Sequence, residues 1–269
     1  MNRPAAQDGD FPYWLLGVVL AGLGLAVAIA VSGLYAQVFS IVIKGVWVTV
    51  FVTVAAFAAA SALGLGLALM ALSGSVWLRQ TARLYVEIIR GVPILVLLFW
   101  IAFAGVPGFV ALWNWAMTPL REAGFFGELA VRDFPLLWRA VLALTVGYSA
   151  FIAEIFRAGI QAVDPGQVEA AKALGLTRLQ RFRLIVLPQA LRTILPPLGN
   201  DFVALVKDSS LVSVLGVADI TQMGKVYAAG SFRFFETYSI VAYVYLALTI
   251  SLSLALRALE KRLRQGRDG

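Results

Sequence analysis

Two groups of residues in this chain have types and spacings that carry chemistry. The first is Glu169-Ala170-Ala171, then Gly175, then Ile185 and Leu187-Pro188, a polar, arginine-bearing island between long apolar runs. The second is Asn200, Asp201, Lys207, Asp208, Ser209 and Ser210, polar and charged side chains set inside an apolar run. Neither group is equipped for catalysis. The chain has no histidine and no cysteine, which removes the usual neutral-pH acid–base group, thiolate metal sites and disulfides. The first group reads as a docking surface for a soluble partner. The second reads as a polar path through a membrane, since ionisable residues inside a span are costly and face a cavity or a partner group.

Local chemistry predicts two short helices in the island. Asp164 is placed to N-cap the first, with Pro165 at its first position and Gln167 to close a capping box. Gly175 ends that helix in a positive-φ turn. Thr177 caps the second, with Gln180 at the matching position, and Leu187-Pro188 ends it because the residue before proline avoids the helical region. Leu179, Phe182, Ile185 and Val186 share one face of that second helix.

The elements around both groups belong to a bilayer. The chain has 269 residues, 61% of them hydrophobic, and a mean hydropathy of +0.86. Apolar runs of about 20 residues cross the ~30 Å hydrocarbon core as helices, and six such runs are present. They are Tyr13 to Ser32, Val38 to Leu72 with an interfacial stretch up to Gly45, Pro93 to about Gly105, Leu136 to Phe156, Thr193 to Leu215 and Tyr238 to Leu256. The fifth is expected to be broken at Pro196-Pro197. Pro107 to Arg139 mixes aromatics with charges and suits an interfacial loop or helix. Glu154 and Arg157, three residues apart, are set to pair.

Charge sets the orientation. With alternating spans, 15 Lys and Arg lie on the side of the termini and the island, against seven on the other. The island and both termini are therefore expected to be cytoplasmic. The net charge of +7 follows from this topology and calls for no nucleic acid. Within the polar path, Lys207 and Asp208 are neighbours and point about 100° apart on a helix, so they do not simply neutralise each other. A zwitterion would match a path offering both signs. The alternative is that Asp201 and Lys207 tie a broken helix to its neighbours.

The spacing Glu-Ala-Ala, three residues, Gly175, nine residues, Ile185, one residue, Leu187-Pro188 resembles the EAA loop of ATP-binding-cassette (ABC) importer permeases. Arg90-Gly-Val-Pro93, Ala153 to Ile160, Pro165-Gly-Gln167, Pro188-Gln-Ala190 and Lys207-Asp-Ser-Ser-Leu211 extend the resemblance to the polar amino-acid (histidine-, glutamine- and glutamate-type) importers, over roughly Gly45 to Leu263. The resemblance implies an all-α polytopic protein of about six transmembrane helices with the type I importer permease fold. It divides the chain into an N-terminal tail (1–12), an added transmembrane helix (13–36), a permease domain (37–257) holding the EAA loop (164–188), and a basic cytoplasmic tail (258–269). Relatives commonly have five spans, so the first is an addition, as is the long stretch between Pro107 and Arg139.

The resemblance also implies the partners. These are two ATPase subunits that hold ATP and magnesium, a second permease (the same chain or a homologue), an external amino-acid-binding protein and the bacterial cytoplasmic membrane. Glu169, Ala170, Ala171, Gly175, Ile185, Leu187 and Pro188 would then couple the spans to the ATPase. The chain itself carries no phosphate-cradling G-x4-G-K-[ST] loop; Gly224-Lys225 runs on into Val226. It is expected to be a transport subunit, with no catalytic residues, no metal and no cofactor of its own. The competing class is a secondary transporter or channel driven by an ion gradient, and the docking island argues against it.

Overall fold

The structure, a computed structural model, describes residues 13–265 apart from positions 123 and 126, and side chains over 16–259. The tail over 1–12 and the last residues of the basic tail, 266–269, lie outside the described residues. The described residues contain helices and no strand. In chain order these are α1 (Tyr13–Val31), α2 (Gly33–Val42), α3 (Val46–Ala71), α4 (Val76–Gly91), α5 (Ile94–Trp100), α6 (Val106–Ala116), α7 (Thr118–Glu122), α8 (Leu136–Gln161), α9 (Pro165–Ala173), α10 (Arg178–Arg181), α11 (Leu187–Asp208), α12 (Ile220–Ser231) and α13 (Phe234–Gln265).

Among the described residues, four helical stretches are long and apolar enough to cross a membrane: Gly33–Ala71, Ile94–Ala116, Leu136–Gln161 and Phe234–Leu259. The first and last of the six expected runs are continuous helices, but two boundaries differ from expectation. The third run does not stop at Gly105. It passes through a π-turn at Ile101–Gly105 and continues as α6 to Ala116. The fifth run is not broken at Pro196-Pro197; both prolines sit inside α11, and the α-helix ends at Asp208, where Ser209–Leu215 tightens into a 3-10 turn. An internal proline costs about 3 kcal/mol in lost hydrogen bonding and steric conflict. The burial of Ile194, Leu205 and Val206 against neighbouring helices supplies the compensating packing.

The core is built on α3 against α8. Ala56, Ala60 and Gly64 recur every fourth residue, which puts them on one face of α3, and all three are buried. A Cβ at Gly64 would meet the Ile152 side chain at 2.9 Å and the Ser149 carbonyl oxygen at 3.0 Å. Small residues let the two backbones approach where lipid offers no hydrophobic drive. Leu97, Leu98, Leu144, Ile152, Leu205 and Val212 fill the space around this pair. A second cluster joins α2, α12 and α13 through Val38, Val42, Ile220 and Ile240.

A buried polar joint connects the two clusters. Asp219 is fully buried and caps α12, accepting from the Gln222 N–H at 2.8 Å and from the Tyr245 hydroxyl at 3.0 Å. Thr221 donates in turn to the Tyr245 oxygen at 3.1 Å, and the Ile220 N–H donates to Thr49 Oγ1 at 3.3 Å. Gly45 packs directly on the Asp219 backbone. Elsewhere, Arg139 donates to the carbonyls of Phe134, Ala102 and Val131. It thereby ties the start of α8 to the π-turn and to the segment before it. By contrast α1 leaves Leu20, Leu23, Val27 and Val31 more than half exposed, which costs little where the solvent is hydrocarbon.

Candidate functional site

The island folds into a rigid bracket whose bonds are nearly all local. Asp164 Oδ1 accepts from the Gly166 N–H at 2.7 Å and starts α9. Gly175 takes φ +77°. Its N–H bonds the Lys172 carbonyl at 3.0 Å, and the Leu176 N–H bonds the Ala171 carbonyl at 3.1 Å, the paired bonds of a Schellman turn. The Thr177 N–H donates to Gln180 Oε1 at 2.9 Å and the Gln180 N–H donates to Thr177 Oγ1 at 3.3 Å, closing the predicted box.

Two local expectations fail. Gln167 does not close a box with Asp164; its Oε1 accepts from Gln189 Nε2 at 2.6 Å and fastens α9 to α11. Nor does Leu187-Pro188 end the second helix, because a π-turn over Phe182–Val186 leads directly into α11. A proline ring collides with the carbonyl four residues earlier in a regular helix. Here the Leu187 N–H bonds the Phe182 carbonyl, five residues back, and the widened turn admits Pro188.

Burial divides the island. Ala171 is buried, and Val163, Ala190 and Ile194 form a buried cluster, while Ile185 and Leu187 are half-buried. Glu169, Ala170, Gly175 and Pro188 are exposed. The face shared by Leu179, Phe182, Ile185 and Val186 splits, its first two members lying exposed and the last two half-buried. Leu174, Leu179 and Leu184 are 80%, 64% and 63% exposed. Leu174 and Leu184 had no signal in the sequence beyond being apolar in a polar segment. The bracket thus exposes three leucines along with Glu169.

The polar run on α11 is sorted by face. Asp201 and Asp208, seven residues apart, line one cavity of about 330 Å³ with Tyr148 and Phe151 of α8 and Val92 and Ile94 beside Pro93. The Tyr148 hydroxyl donates to Asp208 Oδ2 at 2.7 Å. Asp201 Oδ2 is buried and has no hydrogen-bond partner. Asn200 and Lys207 are exposed and do not line this cavity. Ser209 is buried with its Oγ turned to the Val206 carbonyl at 2.7 Å, and Ser210 is half-buried. Tyr148 and Phe151 did not stand out as site residues in the sequence; a tyrosine hydroxyl within an apolar run was the available signal. A second cavity of about 390 Å³ is lined by Arg83, Glu87, Arg90, Glu154 and Arg157. There Glu154 and Arg157 form the expected pair, with Gln161 accepting from Arg157 Nη1 at 2.7 Å. Among the described residues, no cluster of three or more metal-binding side chains occurs.

An all-helical membrane protein with a capped, leucine-bearing bracket between spans narrows the choice of family. Residues 60–265 match the family model described as binding-protein-dependent transport system inner membrane component. The chain belongs to that family.

This permease is 37% identical over 216 residues to the probable amino-acid permease protein YxeN of Bacillus subtilis, covering 80% of this chain and 88% of the relative. It is 38% identical over 185 residues to the glutamine transport system permease protein GlnP of Escherichia coli K12, covering 69% and 75%. Its structure superposes on a chain of an amino acid ABC transporter crystallised with histidines at TM-score 0.69 and 37% identity, covering 85% and 95%. A chain of the inward-facing MetNI methionine ABC transporter gives TM-score 0.61 at 21% identity and shares the fold. The permease therefore has the type I importer fold and is the membrane component of an ABC import system.

Proposed function

We propose that this permease imports polar amino acids across the bacterial cytoplasmic membrane, driven by ATP that two partner ATPases bind with magnesium and hydrolyse. The bracket over 164–188 is the seat of those ATPases. The observation that carries this reading is the bracket itself: a segment fixed by caps at both of its helices, bearing exposed Leu174, Leu179 and Leu184 and an exposed Glu169. A surface of this kind transmits a push as a rigid lever. Glu169, Ala170, Gly175 and Pro188 meet the ATPase groove, while Ala171, Ile185 and Leu187 hold the bracket on α11. The relatives named for amino acids and glutamine support the substrate class. The cavity of Asp201 and Asp208 is a segment of the substrate path. A second permease and an external binding protein complete the assembly.

The test is to co-express the chain with candidate ATPase and amino-acid-binding partners from the same organism, reconstitute the complex in vesicles and measure uptake of labelled amino acids. Uptake that requires ATP and the binding protein is expected. Uptake on an ion gradient alone, with no ATPase bound, would establish the secondary-transporter class instead.

The same reading fixes orientation, with both termini and the bracket cytoplasmic. Cysteines at Gly127, exposed and with open space around it, and at Arg178 report on this in a chain that has no native cysteine. A membrane-impermeant maleimide applied to spheroplasts is expected to label position 127 and to reach 178 only after permeabilisation. The reverse pattern would invert the topology.

A further inference from the structure

Two apolar cavities lie between α3, α11 and α13, apart from the cavity of Asp201 and Asp208. The first, of about 160 Å³, is lined by Phe57 of α3, Leu195, Leu198 and Gly199 of α11, and Leu256 and Leu259 of α13. The second, of about 130 Å³, is lined by Val50 and Val54 of α3, Val206 of α11, and Leu248 and Leu252 of α13. Phe202 lines both, its ring centroid 4.8 Å from that of Phe57. No ionisable side chain lines either.

The two cavities are segments of one groove. Leu248, Leu252, Leu256 and Leu259 recur every three or four residues and so share one face of α13. At 1.5 Å per residue the stretch they cover is about 16 Å long, roughly half of the ~30 Å hydrocarbon core. That is the depth of one leaflet. At the back of the groove α11 and α13 touch, since a Cβ at Gly199 would stand 3.3 Å from the Leu256 side chain. At the front Val50, Val54 and Leu259 are exposed.

The surroundings determine what can enter. Both α3 and α13 belong to stretches long and apolar enough to cross the membrane, so the groove faces hydrocarbon. Apolar side chains gain dispersion contacts from whatever fills the space between them, and in a bilayer that is an acyl chain. A helix, about 10–12 Å across with its side chains, is too wide for cavities of this volume.

Charge marks one end. Because α11 begins at the bracket, the Leu195 end of the groove lies on the bracket's side of the membrane. Arg192 precedes Leu195 by three residues and so shares its face of α11. Arg257 directly follows Leu256, and both arginines are exposed. Among the described residues, Arg192 has no carboxylate within ion-pair distance. From Arg257 to its end at Gln265, α13 carries four basic residues against one acidic, Glu260. Basic groups at the membrane-surface end of a groove between spans attract anionic headgroups.

We propose that this groove is a binding site for an anionic phospholipid of the leaflet on the bracket's side. One acyl chain lies along α13 past Phe202, and Arg192 and Arg257 hold the headgroup. The site is separate from the substrate path and goes beyond the transport reading above.

The test is native mass spectrometry of the purified full-length chain in detergent micelles carrying equal amounts of dipalmitoyl phosphatidylglycerol and dipalmitoyl phosphatidylcholine. At an activation that strips phosphatidylcholine, the wild type is expected to retain phosphatidylglycerol. The preference is expected to be about twentyfold, from roughly fivefold for each arginine. Arg192→Gln combined with Arg257→Gln is expected to bring the two lipids within about twofold of each other. Leu259→Trp, at a half-exposed position, fills the groove at its basic end and is expected to lose the retained lipid while eluting as wild type on size exclusion. If that variant does not elute as wild type, Val54→Trp makes the same test from the other end. Glycerol phosphate, which has the charge and no chain, is expected not to displace the lipid. Wild-type chain without retained lipid, equal retention of the two headgroups, displacement by glycerol phosphate, or a folded tryptophan variant that keeps the lipid would overturn the proposal. A wild type that runs as a dimer and retains no lipid would assign the groove to a second copy, and would overturn it as well.

Discussion

Gly175→Val is expected to abolish ATP-driven uptake while the permease still reaches the membrane. Gly175 sits at φ +77° with nothing within 4 Å of where a Cβ would stand, so the cost of a side chain there is conformational rather than steric crowding by neighbours. For an L-residue the left-handed conformation costs about 1–2 kcal/mol, and branching at Cβ makes valine a poorer occupant still. Relaxing that strain means giving up the Schellman bonds from Gly175 and Leu176 to Lys172 and Ala171. The bracket then loses the angle between α9 and α10, and with it the placement of Leu174, Leu179 and Glu169. A misfit of about 2 kcal/mol lowers the correctly seated fraction by roughly 30-fold. The measurement is uptake and ATPase activity on the same vesicles, both of which fall together if the bracket is the lever. Gly175→Asn supplies the control, because asparagine tolerates this region and is expected to keep most of the activity. Wild-type uptake in the valine variant would reduce the bracket to an ordinary loop.

Gly45→Val is expected to prevent accumulation of folded protein. A Cβ at this position would overlap the backbone carbonyl of Asp219 and the backbone nitrogen of Ile220, groups that cannot rotate aside as a side chain could. Opening the space separates α3 from the start of α12. That move strips the Ile220 N–H from Thr49 and disturbs the buried cap that Asp219 makes with Gln222 and Tyr245. Overpacking alone costs about 1–3 kcal/mol, and a compromised cap adds about 1 kcal/mol. Gly66→Val is the matched control: Gly66 is exposed on α3, the helix that follows Gly45, with nothing within 4 Å, and it is expected to stay within about 0.5 kcal/mol of wild type. Fluorescence-detected size exclusion of the two variants after heating separates the outcomes, and a monodisperse Gly45→Val peak with wild-type melting would show that the joint has slack.

The sequence by itself determined whatever depends on a few neighbouring residues. The caps at Asp164 and Thr177, the positive φ at Gly175 and the pairing of Glu154 with Arg157 were all legible, because each rests on bonds that span five residues or fewer. Apolar runs likewise located the helices, since a bilayer allows few other ways to satisfy the backbone. What failed were the stops. Leu187-Pro188 and Pro196-Pro197 read locally as breaks, yet α11 passes through both regions because a π-turn and tertiary burial compensate for the prolines. Helical geometry set Lys207 and Asp208 about 100° apart. It did not say which face would meet α8, and so could not give the cavity its negative sign or find Tyr148 and Phe151. Nor could it bring Gly45 against Asp219, 174 residues away. Those arrangements follow from how the burial of Ile194, Leu205 and Val206 rotates α11, and from how closely glycine and alanine let two helices approach. Both are properties of packed pairs, and no single segment contains them.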